Sequence, residues 1–170
     1  MKRILIFLGL LACTLGVKGQ NSAVEQLFAR YGDKDGFTTV TISRAMFSLF
    51  ASETESKDEF NNAVKGLESI RILTPDETIA KGSLNFFREI SKSLPAAQYE
   101  ELMSVKEKDQ VFKMLIRKKG NVITEFLMIG GGNENLLIYI TGNINLKSIS
   151  KLSKAMDIEG MDNIEKVGKP

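Results

Sequence analysis

The sequence predicts an α+β domain of two layers, an antiparallel meander sheet in the C-terminal half packed with helices. Three observations carry this. Apolar, β-rich runs follow one another after residue 99, separated only by short turns. Amphipathic stretches with helix-start signals occupy much of the chain before them. The chain has no internal period, no block of like charge and only three prolines, which suits one domain over residues 20–170 with a core of its own.

The first element starts at Ser22, an N-cap residue type, carries Val24, Leu27 and Phe28 on one face and stops near Gly32. A turn with Asp33, Asp35 and Gly36 leads into Phe37-Thr38-Thr39-Val40-Thr41-Ile42-Ser43, whose β-branched content predicts a strand. Met46, Phe47, Leu49 and Phe50 form a short apolar helical turn. Ser56 and Glu59 make a capping box, and Phe60, Ala63, Val64 and Leu67 follow at the spacing of an amphipathic helix. A short β-rich run covers residues 69–73. Thr74-Pro75-Asp76-Glu77 then predicts another helix start, with Ile79, Phe86, Phe87, Ile90 and Leu94 inward and Pro95 beyond its end.

Strands are expected over residues 99–106, 111–117, 122–129 and 136–141, with hairpins at Lys119-Gly120-Asn121 and in a glycine loop over residues 130–135. A last helix takes Asn145 as cap and Leu146, Ile149, Leu152 and Met156 as its buried stripe. The strands near residues 40 and 71, joined by helix, extend the sheet as a βαβ unit in this reading.

The chain opens MKRILIFLGLLACTLGVKGQ, with Lys2 and Arg3 before an apolar run closed by Lys18. This is the pattern of an export signal, shorter than a membrane span, and nothing downstream is apolar for such a length. Two end points are open. Small residues at Val17 and Gly19 favour a cut after Gly19; Leu10-Leu11-Ala12-Cys13 approximates a lipobox, which would make Cys13 a site of lipid attachment. The expected location is the periplasm or the outer membrane surface, with no transmembrane span.

Removing residues 1–19 takes away Lys2, Arg3 and Lys18, so 23 basic and 21 acidic residues become 20 and 21. The basic surplus belongs to the leader, and the remainder lacks the excess that binds phosphate backbones; no nucleic acid partner is expected. Cys13 is the only cysteine, so no disulfide forms within the mature chain.

There is no histidine. Ser-His-Asp and Cys-His catalysis and His- or Cys-ligated metal sites are thereby excluded after the leader, leaving carboxylate, lysine, hydroxyl and backbone chemistry. Ser148 and Lys151 match a Ser-x-x-Lys spacing, which a chain rich in both residues yields by chance, and no Lys-Thr-Gly accompanies it. Asp33 and Asp35 match the opening of a calcium loop, but the twelfth position is Arg44 where a bidentate glutamate is needed. Gly130-Gly131-Gly132 precede a strand rather than the helix a phosphate cradle requires, so they read as a hairpin loop. Without tryptophan, only Tyr31, Tyr99 and Tyr139 pair a ring with a polar handle for sugar stacking. Lys147, Lys151 and Lys154 form the polar side of the last helix. No catalytic residue, metal site or cofactor is assigned.

The series Tyr99-Glu100-Glu101-Leu102-Met103, the runs over 111–117 and 122–129, and Leu136-Leu137-Ile138-Tyr139 ending in Ile140-Thr141-Gly142-Asn143-Ile144 resemble the domain of unknown function 4252 family. The resemblance implies an exported protein of a kind found in Bacteroides and relatives, several of them lipoproteins, and brings no catalytic motif. The function expected is a non-enzymatic envelope domain that binds a protein, an envelope component among them, or a small ligand. The alternatives are a carboxylate-dependent hydrolase or transferase and an accessory of envelope signalling.

Overall fold

A computed structural model of the protein describes residues 22–53, 64–79 and 83–146. The stretch read as a leader with Cys13, the capping box expected at Ser56 and Glu59, and the helix expected beyond Leu146 lie outside the described residues.

Helix α1 (Ala23–Tyr31) starts where Ser22 Oγ accepts a hydrogen bond from the Glu25 N–H at 3.2 Å, and Gly32 caps its end. Strand β1 (Phe37–Ser43) runs directly into α2 (Arg44–Glu53). Then come β2 (Leu67–Pro75), α3 (Phe86–Ile90), a 3-10 turn at Ala96–Gln98, β3 (Glu100–Lys106), β4 (Gln110–Lys119), β5 (Val122–Gly132) and β6 (Leu136–Ile144). All six strands form one open sheet, ordered β1-β2-β6-β5-β4-β3 and antiparallel throughout. The expected meander is the run β3 to β6, each strand beside the next.

The sequence reading is corrected at four places. β1 and β2 do extend the sheet, but as an antiparallel pair with Val40 opposite Ile72, not as a βαβ unit. Leu67 begins β2 instead of ending a helix. The helix expected from Pro75 does not start there: Pro75 closes β2, and Asp76 holds a turn by accepting from the Thr78 N–H at 2.8 Å, so only Phe86–Ile90 is helical among the described residues of that stretch. A proline is tolerated at this point because β6 pairs with β2 only as far as Leu73, so no neighbour asks for its missing N–H. Finally, the triglycine is strand: Gly130, Gly131 and Gly132 stand opposite Phe112, Val111 and Gln110.

The long apolar runs of β5 and β6 follow from burial on both faces. Phe126, Met128, Ile138 and Ile140 join Ile70, Met114 and Ile116 on one face, together with Phe47 of α2 and Val64. Leu127, Ile129, Leu137 and Tyr139 lie on the other, in one cluster with Val24, Leu27 and Phe28 of α1 and Phe86 and Ile90 of α3. Residues of both sets in β5 and β6 are at most 7% exposed. At about 25 cal/mol per Å² of apolar surface removed from water, these two clusters are the main stabilising term.

The glycines let α3 come down onto β5. A Cβ at Gly131 would meet the Asn85 side-chain oxygen and lie 2.7 Å from both the Phe87 N and Cβ. Gly132 has φ +126°, backbone that L side chains rarely adopt, and a Cβ there would strike the Asp109 carbonyl. Bare backbone here is therefore a packing requirement, of the α3 start at Gly131 and of the β3–β4 turn at Gly132, in a stretch that local sequence read as a loop.

Candidate functional site

Three places carry chemistry among the described residues: a polar row across the helix-covered face, two shallow cavities at its rim, and the outer edge of β1.

The row begins at Arg71, a charge set between isoleucines in β2 and directly opposite Tyr139 of β6. Helix α1 lies above it. Arg71 Nη1 donates to both Glu25 carboxylate oxygens at 2.7 Å, and its guanidinium carbon sits 3.7 Å from the Phe28 ring centroid. One step along, Ser69 and Thr141 share a hydrogen bond at 3.0 Å, and Thr141 stands opposite Glu125. Glu125 takes an ion pair from Arg117 at 2.9 Å and a hydrogen bond from the Tyr99 hydroxyl at 2.6 Å. Burial first, then the Glu125 carboxylate, pushes the Tyr99 and Tyr139 phenols well above the ordinary tyrosine range. Of the two hydroxyls, that of Tyr99 is the one that donates to Glu125. Glu89 is engaged in the same way, by Arg30 at 2.7 Å and the Tyr31 hydroxyl at 2.6 Å.

Each of these carboxylates faces a cation or a phenol, and none faces a second carboxylate, the arrangement that raises a pKa for general-acid work. The row therefore supplies orientation and stability. Its tyrosines are likewise spent internally: the Tyr31 ring packs 4.8 Å from Phe37 and 5.6 Å from Phe86, and Tyr139 is 7% exposed.

The first cavity, about 250 Å³, opens at the end of β2 between Pro75, Asp76, Ile79, Leu84 and Asn133. Asp76 at its lip has its carboxyl held below the usual range by hydrogen bonds from the Thr78 hydroxyl and N–H. The second, about 240 Å³, lies between α1 and α3 at Gln26, Arg30, Glu89 and Lys92. Asn135 builds the wall of the first. It accepts from the Phe86 N–H at 2.9 Å and donates to the Leu84 and Gly132 carbonyls at 3.2 and 2.9 Å.

The third place is backbone. The Asp76 N–H donates to the Gly36 carbonyl at 2.8 Å, and Pro75, which has no N–H, stands opposite Phe37. Hydrogen-bonded pairs with β2 thus fall at even residues of β1, and Thr39, Thr41 and Ser43 aim their backbone groups outward. Residues 38–41 are exposed, Val40 to 40%. β1 contains no charge, no proline and no register shift. The opposite edge, β3, is different: it carries Glu100, Glu101 and Lys106, is laced to β4 by Lys113–Glu101 and Lys118–Glu100 ion pairs, and has a bulge between Glu101 and Met103. Charges and bulges are the devices that keep a sheet edge from taking another strand, and β1 has neither.

Of the residues singled out in the sequence, Asp33 and Asp35 are exposed in the turn before β1, and Arg44 starts α2. Cys13, Ser148, Lys147, Lys151 and Lys154 lie outside the described residues. Among the described residues no group of three or more acidic, His or Cys side chains is placed to hold a metal, and no helix is long and apolar enough to cross a membrane. Arg71, Glu25, Glu125 and Asn135 were not foreseen. An arginine inside the run Ser69-Ile70-Arg71-Ile72-Leu73 was the available signal, because a charge there demands a partner from elsewhere.

An open six-stranded antiparallel sheet, with a charged and bulged edge at β3 and an uncharged one at β1 among the described residues, defines a small, mostly sheet α+β domain. The chain belongs to the family described as domain of unknown function DUF4252, whose model matches residues 31–152, from the end of α1 through all six strands. No curated protein and no solved structure matches it.

Proposed function

We propose that this is an exported, envelope-associated domain that binds another polypeptide, taking an extended segment along the outer edge of β1. The unguarded edge supports the reading most directly: Thr39, Thr41 and Ser43 present outward backbone groups on an exposed, uncharged strand. Strand addition draws affinity from such main-chain groups and specificity from alternate side chains, here Val40 and Ile42 on one face and Thr39 and Thr41 on the other. The polar row, with the Glu25, Glu89 and Glu125 carboxylates each engaged by a cation or a phenol, supports a binding rather than a catalytic role. Export rests on the residues before Gln20.

Two measurements test it. Full-length protein is expressed in a Gram-negative host, fractionated, and its N-terminus read by mass spectrometry. An unprocessed cytoplasmic chain overturns the address; fatty-acid labelling that disappears in Cys13→Ala marks the end after Ala12 and not Gly19. Partner capture from envelope fractions is compared for wild type and Thr41→Pro, which deletes one outward N–H and leaves the β2 ladder whole. A partner held by the wild type and lost from the variant is expected. Equal capture by both overturns the edge as the binding site.

A further inference from the structure

We infer that the strand that β1 takes is β1 of a second copy, making one continuous sheet through a two-fold dimer; this rests on the edge reading above. The strand is complementary to itself. In an antiparallel pair centred on Val40, Thr39 stands opposite Thr41 of the other copy and Phe37 opposite Ser43. Thr39, Thr41 and Ser43 aim their main chains outward, while the Phe37 N–H is already held by the Lys34 carbonyl at 3.2 Å, so the ladder needs no slip and its full pairs are the two central Thr39–Thr41 ones. On one face Val40 meets Val40 and Thr38 meets Ile42, β-branched pairs that favour a sheet, and no like charges meet within the strand.

Charge complementarity sets the ends. Asp35 precedes β1 and Arg44 follows it, so antiparallel pairing brings an acid of one copy and a guanidinium of the other to each end of the ladder, twice by symmetry. Arg44 is available for this: its contact with Glu68 is 3.7 Å, with side chains 66% and 63% exposed. Val40 is itself 40% exposed, an apolar side chain left open at the centre of the strand. Pairing two copies covers Val40 with Val40, and a two-fold interface of this kind closes, so it stops at two.

The test uses protein purified after export from the full-length gene. Sedimentation equilibrium is expected to show twice the chain mass at the upper end of the micromolar range, and one chain mass for Thr41→Pro. Register is read by a cysteine pair. In a Cys13→Ala background, Val40→Cys places two thiols at a non-hydrogen-bonded cross-strand position, with Cα atoms about 4.5 Å apart, inside the range a disulfide spans. With oxidised glutathione as oxidant, covalent dimer is expected at least about tenfold faster than for Val105→Cys on the guarded β3 edge, 41% exposed in the same background. A wild type monomeric throughout, or equal cross-linking from both positions, overturns the dimer. If the wild type is monomeric yet Thr41→Pro still loses an envelope polypeptide, self-pairing fails and the edge reading stands. If the variant changes neither mass nor capture, both fail.

Discussion

Asn135 Oδ1 accepts the Phe86 N–H at 2.9 Å, so one side chain in the β5–β6 turn ties the first turn of α3 to the sheet. Its amide nitrogen holds Leu84 and Gly132 at the same time. Asn135→Ala leaves three partly buried polar groups without that partner. Stability should fall by about 1–3 kcal/mol, read as a lower urea midpoint with an unchanged slope. A midpoint equal to wild type would mean water replaces the amide fully.

Gly131→Ala tests why the triglycine is bare. Its Cβ would run into Asn85 and Phe87, both fixed by the start of α3, so the helix must lift from β5. A loss of about 1–3 kcal/mol is expected, with a matching drop in thermal midpoint. Gly120→Asn is the control: φ is +61° with nothing within 4 Å, and asparagine accepts that conformation, so stability should change by less than about 0.5 kcal/mol. Equal effects at the two glycines would refute the packing explanation.

The Glu25–Arg71 pair is half exposed, with side chains 45% and 24% accessible, so screening limits its worth. A double-mutant cycle with Glu25→Gln and Arg71→Met should give a coupling of about 0.5–1 kcal/mol that shrinks in high salt. The stack of Arg71 on Phe28 predicts a second result: Arg71→Lys in the Glu25→Gln background still loses stability, because an ammonium does not reproduce a planar guanidinium over the ring. No loss in that background would leave the ion pair as the whole effect.

Tyr31, Tyr99 and Tyr139 all have phenol pKa values raised in the folded protein, burial being the first cause of each. The unfolded chain releases these protons near pH 10 while the folded one keeps them. Their stabilising contribution is therefore complete below about pH 10 and is lost as pH rises toward the folded values. Absorbance at the phenolate wavelength should rise together with loss of structure above that pH. Tyr99→Phe should make the alkaline loss of stability less steep. Phenolate appearing well before unfolding would contradict the enclosed, carboxylate-bonded phenols.

Much was legible in the chain because it is encoded locally. Ser22 as a cap, the β-branched run of β1, and the four runs that became β3 to β6 depend on neighbours within a few residues, and each stands where local pattern put it. Composition removed histidine and cysteine chemistry from residues 20–170 before any fold was considered, and located the basic surplus in residues 1–19.

Only the tertiary structure decided the rest, because those features join residues far apart in sequence. Pro75 matched a helix start, yet pairing with β1 made it the end of a strand. Gly130 to Gly132 matched a loop, yet pairing with β4 made them strand, with α3 closing on Gly131 and the Asp109 carbonyl on Gly132. Arg71 had no partner within its own run and found one 46 residues earlier, on α1. The difference between the two sheet edges is of the same kind: a strand becomes an edge only through the order in which all six assemble, and that order left the uncharged β1 outermost.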